Sequence, residues 1–129
     1  MELIENKISY DVRKCAFKVH KELGPGLLES VYEKALSYEL KLLGYDVKNQ
    51  YPVPVFYKGK MIENAFRIDI LVDDLVVLEI KSVEKLMGVN FKQLLTFLKL
   101  SDKKLGLLIN FNTKFLTNKE SIIRVVNNL

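Results

Sequence analysis

The chain has 129 residues, of which 49% are hydrophobic and 28% are charged. This balance is typical of a folded globular protein and predicts a single domain over residues 1–129. No apolar run approaches the ~20 residues that span a membrane, and the first residues lack the basic start and apolar core of a signal peptide. The single cysteine, Cys15, excludes an internal disulfide and fits a reducing cytoplasm. The net charge of +4 is compatible with a polyanionic partner, although many basic proteins bind no nucleic acid.

Two helices are predicted in the first third of the chain. Apolar residues recur with a helical period over residues 5–22 and again over residues 27–43. The segment Leu23-Gly24-Pro25-Gly26 separates them, because glycine readily adopts the left-handed conformation that caps a helix and proline interrupts one. Cys15 lies on the apolar stripe of the first helix, so we expect it to pack in the core.

The rest of the chain predicts a sheet followed by a crossover. Strands are predicted at residues 46–50, 53–57, 62–72 and 75–82, with a turn at Lys58-Gly59-Lys60. A helix at 89–100, a buried strand at 104–111 and a short final helix at 119–127 follow. Strands in hairpin succession with one helix-connected strand indicate a mixed α/β or α+β layered domain. The crossover through the helix predicts that the strands before and after it are parallel.

Three charged residues lie inside apolar, strand-like sequence. Asp69 lies within Phe66–Val72, and Glu79 and Lys81 lie within Leu75–Lys81. Such runs are typical of strands that are buried on both faces. A carboxylate there carries a desolvation cost unless it is paired, hydrogen-bonded or bound to a metal. These residues are candidates for chemistry, with a buried ion pair as the alternative.

The spacing of these residues is a weak signal by itself. An acidic residue two positions before a lysine occurs five times in the chain. The triplets begin at Glu5, Glu39, Asp46, Glu79 and Asp102. Two of them lie in predicted helices and two in turns or strand edges. Only the Glu79 triplet lies in a predicted central strand that follows another acidic strand residue.

The loop between the two acidic strands decides whether Asp69 and Glu79 meet. A two-residue turn at Asp73-Asp74 would set Asp69 opposite Leu78, on the face away from Glu79. A three-residue loop would set Asp69 directly across from Glu79, although such loops favour Gly or Asn in their left-handed position. A bulge would shift the register equally well. A shared site thus requires an odd offset between the strands.

Several motifs together resemble a known family. The segment Gly26-Leu-Leu-Glu29-Ser-Val-Tyr32 looks like the signature of the GxxExxY proteins, which belong to the PD-(D/E)XK nuclease superfamily. The likeness runs from about residue 20 to about residue 111. It includes Gln50-Tyr-Pro-Val-Pro-Val, Tyr57-Lys-Gly, Arg67-Ile-Asp69, Glu79-Ile-Lys81, Gln93-Leu-Leu and Leu107-Leu-Ile-Asn-Phe111. It implies an α/β fold with an α+β-like mixed sheet, built on a restriction-endonuclease-like αβββαβ core. The elements predicted above add an extra N-terminal helix and a short C-terminal helix to this core.

The resemblance implies a divalent metal site. Asp69 and Glu79 would bind Mg²⁺ or Mn²⁺ together with the main-chain carbonyl of Ile80, and Glu29 would supply an additional acidic group. Hard carboxylate oxygens suit these ions. Glu29 also has a structural explanation, because an acidic residue in the first turn of a helix favours the helix dipole.

The resemblance also implies two further catalytic residues. Lys81 would orient the attacking water or stabilise charge at the phosphate. Gln93 resembles the glutamine of a Gln-x-x-x-Tyr motif that some branches of the superfamily carry. Phe97 stands where that motif has tyrosine, so a role for a tyrosine hydroxyl is lost.

Two functions fit these residues. The first is a metal-dependent nuclease that acts on DNA in preference to RNA. The second is a non-catalytic nucleic-acid-binding or complex-forming module that retains the nuclease fold. Intact Asp69, Glu79 and Lys81 favour the first. A small chain with few elements to grip DNA suggests a homodimer or a partner protein.

Overall fold

A five-stranded mixed sheet with helices packed on both faces organises the protein. This computed structural model describes residues 3–129. Its elements are α1 (Ile4–Leu23), α2 (Glu29–Leu42), β1 (Val47–Tyr57), β2 (Lys60–Val72), β3 (Val76–Lys81), α3 (Gly88–Ser101), β4 (Leu105–Asn110) and β5 (Ile122–Val126). No helix among the described residues is long and apolar enough to cross a membrane.

The strands lie in the sheet in the order in which they occur in the chain. The order is β1-β2-β3-β4-β5, and every neighbouring pair is antiparallel except β3 and β4, which are parallel. The parallel pair is the one that α3 connects, as the crossover predicts. The segment from α2 to β4 has the αβββαβ order of a restriction-endonuclease-like core, with α1 as an additional helix. The predicted fold class is confirmed.

The helices pack on opposite faces of the sheet, and each face has its own apolar core. On one face, α1 and α2 bury Val12, Ala16, Tyr32, Leu36 and Leu40 against the sheet. On the other face, Leu94 and Leu98 of α3 pack over β2, β3 and β4. Gly106 in β4 permits the close approach of α3, because an added Cβ would lie 2.9 Å from Leu94. Both faces of the central strands are therefore buried, as their continuous apolar runs indicate.

The predicted final helix at 119–127 is wrong, because this segment contains the strand β5. Ile122 to Val126 pairs antiparallel with β4 and completes the sheet. A short apolar run cannot be assigned to helix or strand by periodicity alone. The β-branched pairs Ile122-Ile123 and Val125-Val126 fit a pleated surface, and pairing covers the edge that β4 would otherwise leave open.

The two strands predicted at 46–50 and 53–57 form one continuous strand. β1 runs through Pro52 and Pro54 without interruption. Proline cannot donate a main-chain hydrogen bond, which is tolerated on an edge strand. Since β1 lies at the edge of the sheet, the two prolines mark its free side rather than a break.

Candidate functional site

The hairpin between β2 and β3 closes through a three-residue loop and aligns the two acidic strands. Val72 pairs with Val76 and Ile70 with Leu78, so Asp69 and Glu79 occupy the next opposing position. Asp73 and Asp74 both adopt positive φ, at 50° and 58°. Aspartate tolerates the left-handed region better than most residues, so the loop forms without glycine or asparagine.

Carboxylates replace the regular main-chain pairing where the two strands diverge. The described β2–β3 pairing ends at Ile70 and Leu78. Beyond it, the N–H of Ile80 donates to Asp69 Oδ2 at 2.8 Å, and the N–H of Asp69 donates to Glu79 Oε1 at 3.4 Å. Each carboxylate is thus fixed by the main chain of the opposite strand.

Glu79 is a buried acid whose negative charge is only partly offset by neighbouring groups. Burial and the charge of Asp69 raise the pKa of Glu79 to about 8. The hydrogen bond from the Asp69 N–H and the charge of Lys81 act in the opposite direction but are weaker. Two carboxylates that lie close together away from water are seldom ionised at the same time, because their negative charges repel each other. A bound cation removes this repulsion.

Lys81 follows on the same strand and is held at the end of the sheet. Two residues after Glu79, it lies on the same face of β3 and makes no ion pair with a carboxylate among the described residues. Its carbonyl accepts the N–H of Phe111 at 2.9 Å. The Asn110 side chain accepts the N–H of Val83 and donates to the Val83 carbonyl. The main chain around Lys81 is therefore fixed while its ammonium group is not paired with an acid.

Gln50 and Glu33 join Asp69 in a way that sequence reasoning did not identify. Gln50 Nε2 lies 3.2 Å from Asp69 Oδ1 and 2.6 Å from Glu33 Oε1, and it donates to both. Gln50 has a φ of 49°, which places a non-glycine residue in the left-handed region. Backbone outliers of this kind concentrate at functional sites. Gln50 is the first residue of the Gln50-Tyr-Pro-Val-Pro-Val segment in which the chain resembles the GxxExxY proteins. That resemblance was the one sequence signal that pointed to Gln50.

Glu29 lies at the same end of the molecule as the acidic pair. The hydroxyl of Ser82, one residue after Lys81, donates to the Leu27 carbonyl at 2.7 Å, so the start of α2 lies beside the end of β3. Glu29 is in the first turn of α2 and exposed. No three carboxylate, histidine or cysteine side chains of residues 3–129 converge as a metal-binding group. The structure therefore does not bring Glu29 together with Asp69 and Glu79, and its metal role stays a prediction.

Gln93 lies on α3, across the sheet from α2. Phe97 stacks on Phe66 of β2 with ring centroids 4.0 Å apart. Gln93 is one helical turn before Phe97 and so shares its face of the helix. It is exposed and makes no hydrogen bond to another described residue. Its catalytic role stays a prediction, as does the metal-binding role of the Ile80 carbonyl.

Tyr32 fixes the loop that precedes α2. Its ring is fully buried and stacks on Phe111 with centroids 4.5 Å apart. Its hydroxyl donates to the Gly24 carbonyl at 2.6 Å and accepts the Leu27 N–H at 3.1 Å. Since Leu27 also binds Ser82, this tyrosine couples the helix start to the end of β3.

Replacing Tyr32 with phenylalanine should lower the free energy of unfolding by about 1–2 kcal/mol. The substitution keeps the stacked ring but removes both hydroxyl bonds, which leaves a carbonyl and an N–H to find other partners. Urea denaturation measures the change. Tyr10→Phe is the matched control, because Tyr10 is 63% exposed on α1. Equal stability of the two variants would contradict the coupling.

The donor set suits a small, hard divalent cation. Asp69 and Glu79 offer two oxygen ligand groups, and Mg²⁺ and Mn²⁺ bind through one or two carboxylates while keeping several waters. Neither carboxylate forms an ion pair with a basic side chain among residues 3–129. The two carboxylates are therefore suitable ligands for such an ion, and water would complete its coordination.

Comparisons with known proteins identify the family of the chain. A family model described as the PD-(D/E)XK nuclease superfamily matches residues 6–125. No curated protein and no solved structure matched the chain. The match covers nearly all of the fold, from α1 to β5, and includes the hairpin that aligns the two carboxylates. The chain belongs to the PD-(D/E)XK nuclease superfamily.

Proposed function

We propose that the protein is a nuclease that uses Mg²⁺ or Mn²⁺ to hydrolyse phosphodiester bonds of DNA. The observation that carries the proposal is the three-residue loop of the β2–β3 hairpin. It sets Asp69 across from Glu79 and leaves Lys81 on the same face as Glu79. Membership of a nuclease superfamily supports the reaction type, and the net charge of +4 fits a polyanionic substrate.

The chain's own residues would divide the work of hydrolysis. Asp69 and Glu79 would hold the ion, with the Ile80 carbonyl and Glu29 as additional candidate ligands. When bound, the ion lowers the pKa of its water and polarises the phosphoryl group. Lys81 places a compact positive charge beside the attacking water and the phosphate oxygens. Gln50 restrains Asp69 through its side-chain amide, and Gln93 is proposed to contact the substrate from α3.

A cleavage assay with the purified protein tests the proposal. Single- and double-stranded DNA and RNA are incubated with Mg²⁺, with Mn²⁺ or with a chelator. We expect cleavage of DNA that requires the ion and is lost in Glu79→Ala and Lys81→Met variants. Glu120→Ala and Lys14→Met are matched controls, because both residues are exposed and lie outside the site.

Each alternative has a distinct outcome. Cleavage that persists in the Glu79 and Lys81 variants would assign the activity to a contaminant. Preferential cleavage of RNA would replace the proposed substrate. Binding of nucleic acid without cleavage by either ion would favour the non-catalytic binding module instead.

A further inference from the structure

The β1–β2 hairpin extends well beyond the sheet at the end where the candidate site lies. Counting outward from the Ile70–Leu78 pair sets Lys81, the last residue of β3, level with Arg67. Residues 60–66 of β2 and their partners in β1 therefore have no third strand beside them. At ~3.3 Å per residue this overhang is roughly 20 Å long.

A bulge separates the outer part of this hairpin from the packed part. Val53 pairs with Phe66 and Val55 with Ile62, so Pro54 alone faces three residues of β2. Such a bulge bends the strands and re-aims the segment beyond it. On the inner side, Val53 is buried and Phe66 stacks on α3. On the outer side, residues 55–62 form a two-stranded ribbon, called here the tip ribbon, whose Phe56 lines a shallow cavity with Leu100 and Ser101 at the end of α3.

The tip ribbon is exposed, apolar and basic. Phe56 is 66% exposed, Tyr57 62% and Met61 53%. Lys58 and Lys60 are its only charged residues. Tyr57 and Lys60 pair across the turn, and Lys58 and Gly59 both have positive φ, as a two-residue hairpin turn requires. Two lysines at the end of an exposed ribbon can reach the phosphate groups that flank a nucleic-acid groove.

A second copy of the chain fits the ribbon less well. Pairing of two edge strands is the simplest way for a hairpin to dimerise. Along β1, Pro52 and Pro54 lie just before the tip ribbon and interrupt the main-chain donors that an extended pairing would need. Two lysines on each copy would also repel each other in such a contact. The charge and shape of the tip ribbon favour a polyanion.

We propose that the tip ribbon lies in the major groove of double-stranded DNA and holds the duplex beside the candidate site. The major groove of B-form DNA is about 12 Å wide and admits a two-stranded ribbon. The major groove of A-form RNA is too narrow and deep for side chains to read. The inference rests on the proposed function, because it names the form of nucleic acid that the site receives. Lys58 and Lys60 contact phosphates on the two sides of the groove.

Binding of a labelled DNA duplex, measured by fluorescence anisotropy over a salt series, tests the inference. A chelator is present throughout, so binding is read without cleavage. The Lys58→Gln/Lys60→Gln variant should weaken binding about tenfold or more near 0.1 M salt and lower the salt slope by about 2, since each lost phosphate contact removes about 0.9. Lys14→Gln/Lys119→Gln is the charge-matched control, with Lys14 on α1 and Lys119 in the loop before β5 at the opposite edge of the sheet. It should leave most of the slope intact.

Groove-binding competitors and an RNA duplex distinguish binding in the major groove from nonspecific attraction between charges. Methyl green, a major-groove ligand, should displace the protein, whereas the minor-groove ligand netropsin should not. Equal losses in the two lysine variants, or displacement by netropsin alone, would overturn the inference. So would an RNA duplex that binds as tightly with the same dependence on Lys58 and Lys60, or a ribbon variant that changes only the oligomeric state in sedimentation experiments.

The two proposals fail in different ways. If the ribbon variant binds and cleaves DNA like the unmodified protein, the ribbon inference is wrong and the nuclease proposal stands. If DNA binding depends on the ribbon but neither ion supports cleavage, the nuclease proposal is wrong and the ribbon contact stands.

Discussion

Replacing Asp69 with asparagine is expected to abolish stabilisation of the protein by Mn²⁺ and to lower DNA cleavage by at least about 10³-fold. Metal ions contribute several kcal/mol to stabilising a charged transition state, and each 1.4 kcal/mol is a factor of about ten in rate. Asparagine is nearly isosteric and can still accept the Ile80 N–H. Its amide nitrogen would face Gln50 Nε2, which already donates to Glu33. The substitution thus removes the charge while keeping the hairpin closed.

A thermal melt in a series of Mn²⁺ concentrations measures the binding part of this prediction. At about 100 times its Kd, an ion that binds only the folded protein adds about 2.7 kcal/mol, or roughly 10 °C in Tm for a chain of this size. The unmodified protein should show this rise and the Asp69→Asn variant should not.

Asp74→Asn provides the matched control for the same hairpin. Asp74 is an exposed loop carboxylate with a φ of 58°, a conformation that asparagine also tolerates. Its only ion pair among the described residues is with Lys103, at 3.5 Å. This control should bind Mn²⁺ normally. If it lost the response to Mn²⁺ as fully as Asp69→Asn, or if the unmodified protein never responded, Asp69 would not be a metal ligand.

The helices and the central strands could be predicted from sequence because their apolar patterns are long. The periods over 5–22 and 27–43 extend over several turns, and α1 and α2 lie within two residues of those limits. The pattern at 119–127 is short, and an isolated cluster of β-branched residues is ambiguous until a neighbouring strand is known. β5 forms because β4 presents an open edge to it, which is information that the segment itself does not carry.

The register of the acidic hairpin could not be predicted from the apolar pattern. In a strand with one buried face, a one-residue slip of the register moves the apolar side chains to the solvent side, so the apolar pattern selects the register. β3 is buried on both faces, so it would bury apolar side chains in either register. The resemblance favoured the odd offset, and two left-handed aspartates achieve it. Glu33 and Gln50 were missed because their contact joins α2 to the edge strand. Only the packing of α2 on the sheet brings these residues together.

Replacing Glu79 with glutamine is expected to stabilise the metal-free protein at pH 8 and to have little effect near pH 4.5. Burial and the charge of Asp69 raise the pKa of Glu79 to about 8, above its value in the unfolded chain. Folding therefore favours the protonated acid, and the stability that Glu79 contributes is complete below about pH 4.5 and is lost as the pH rises towards 8. Glutamine does not titrate and can still accept the Asp69 N–H. The gain at pH 8 is of the order of 3–5 kcal/mol at most.

Urea denaturation in chelator at several pH values, compared with the same series in Mn²⁺, makes this prediction specific to a metal ligand. Without the ion, the stability difference between Glu79→Gln and the unmodified protein should grow from pH 5 to pH 8. With Mn²⁺ the order should reverse, because only the unmodified protein offers two carboxylates whose repulsion the ion relieves. Glu84→Gln, at an exposed position three residues after Lys81, should show neither effect. The Glu79→Gln variant could instead be less stable than the unmodified protein at every pH without metal. That result would mean that Glu79 is an ionised structural residue, stabilised by Lys81 and the Asp69 amide and not a metal ligand.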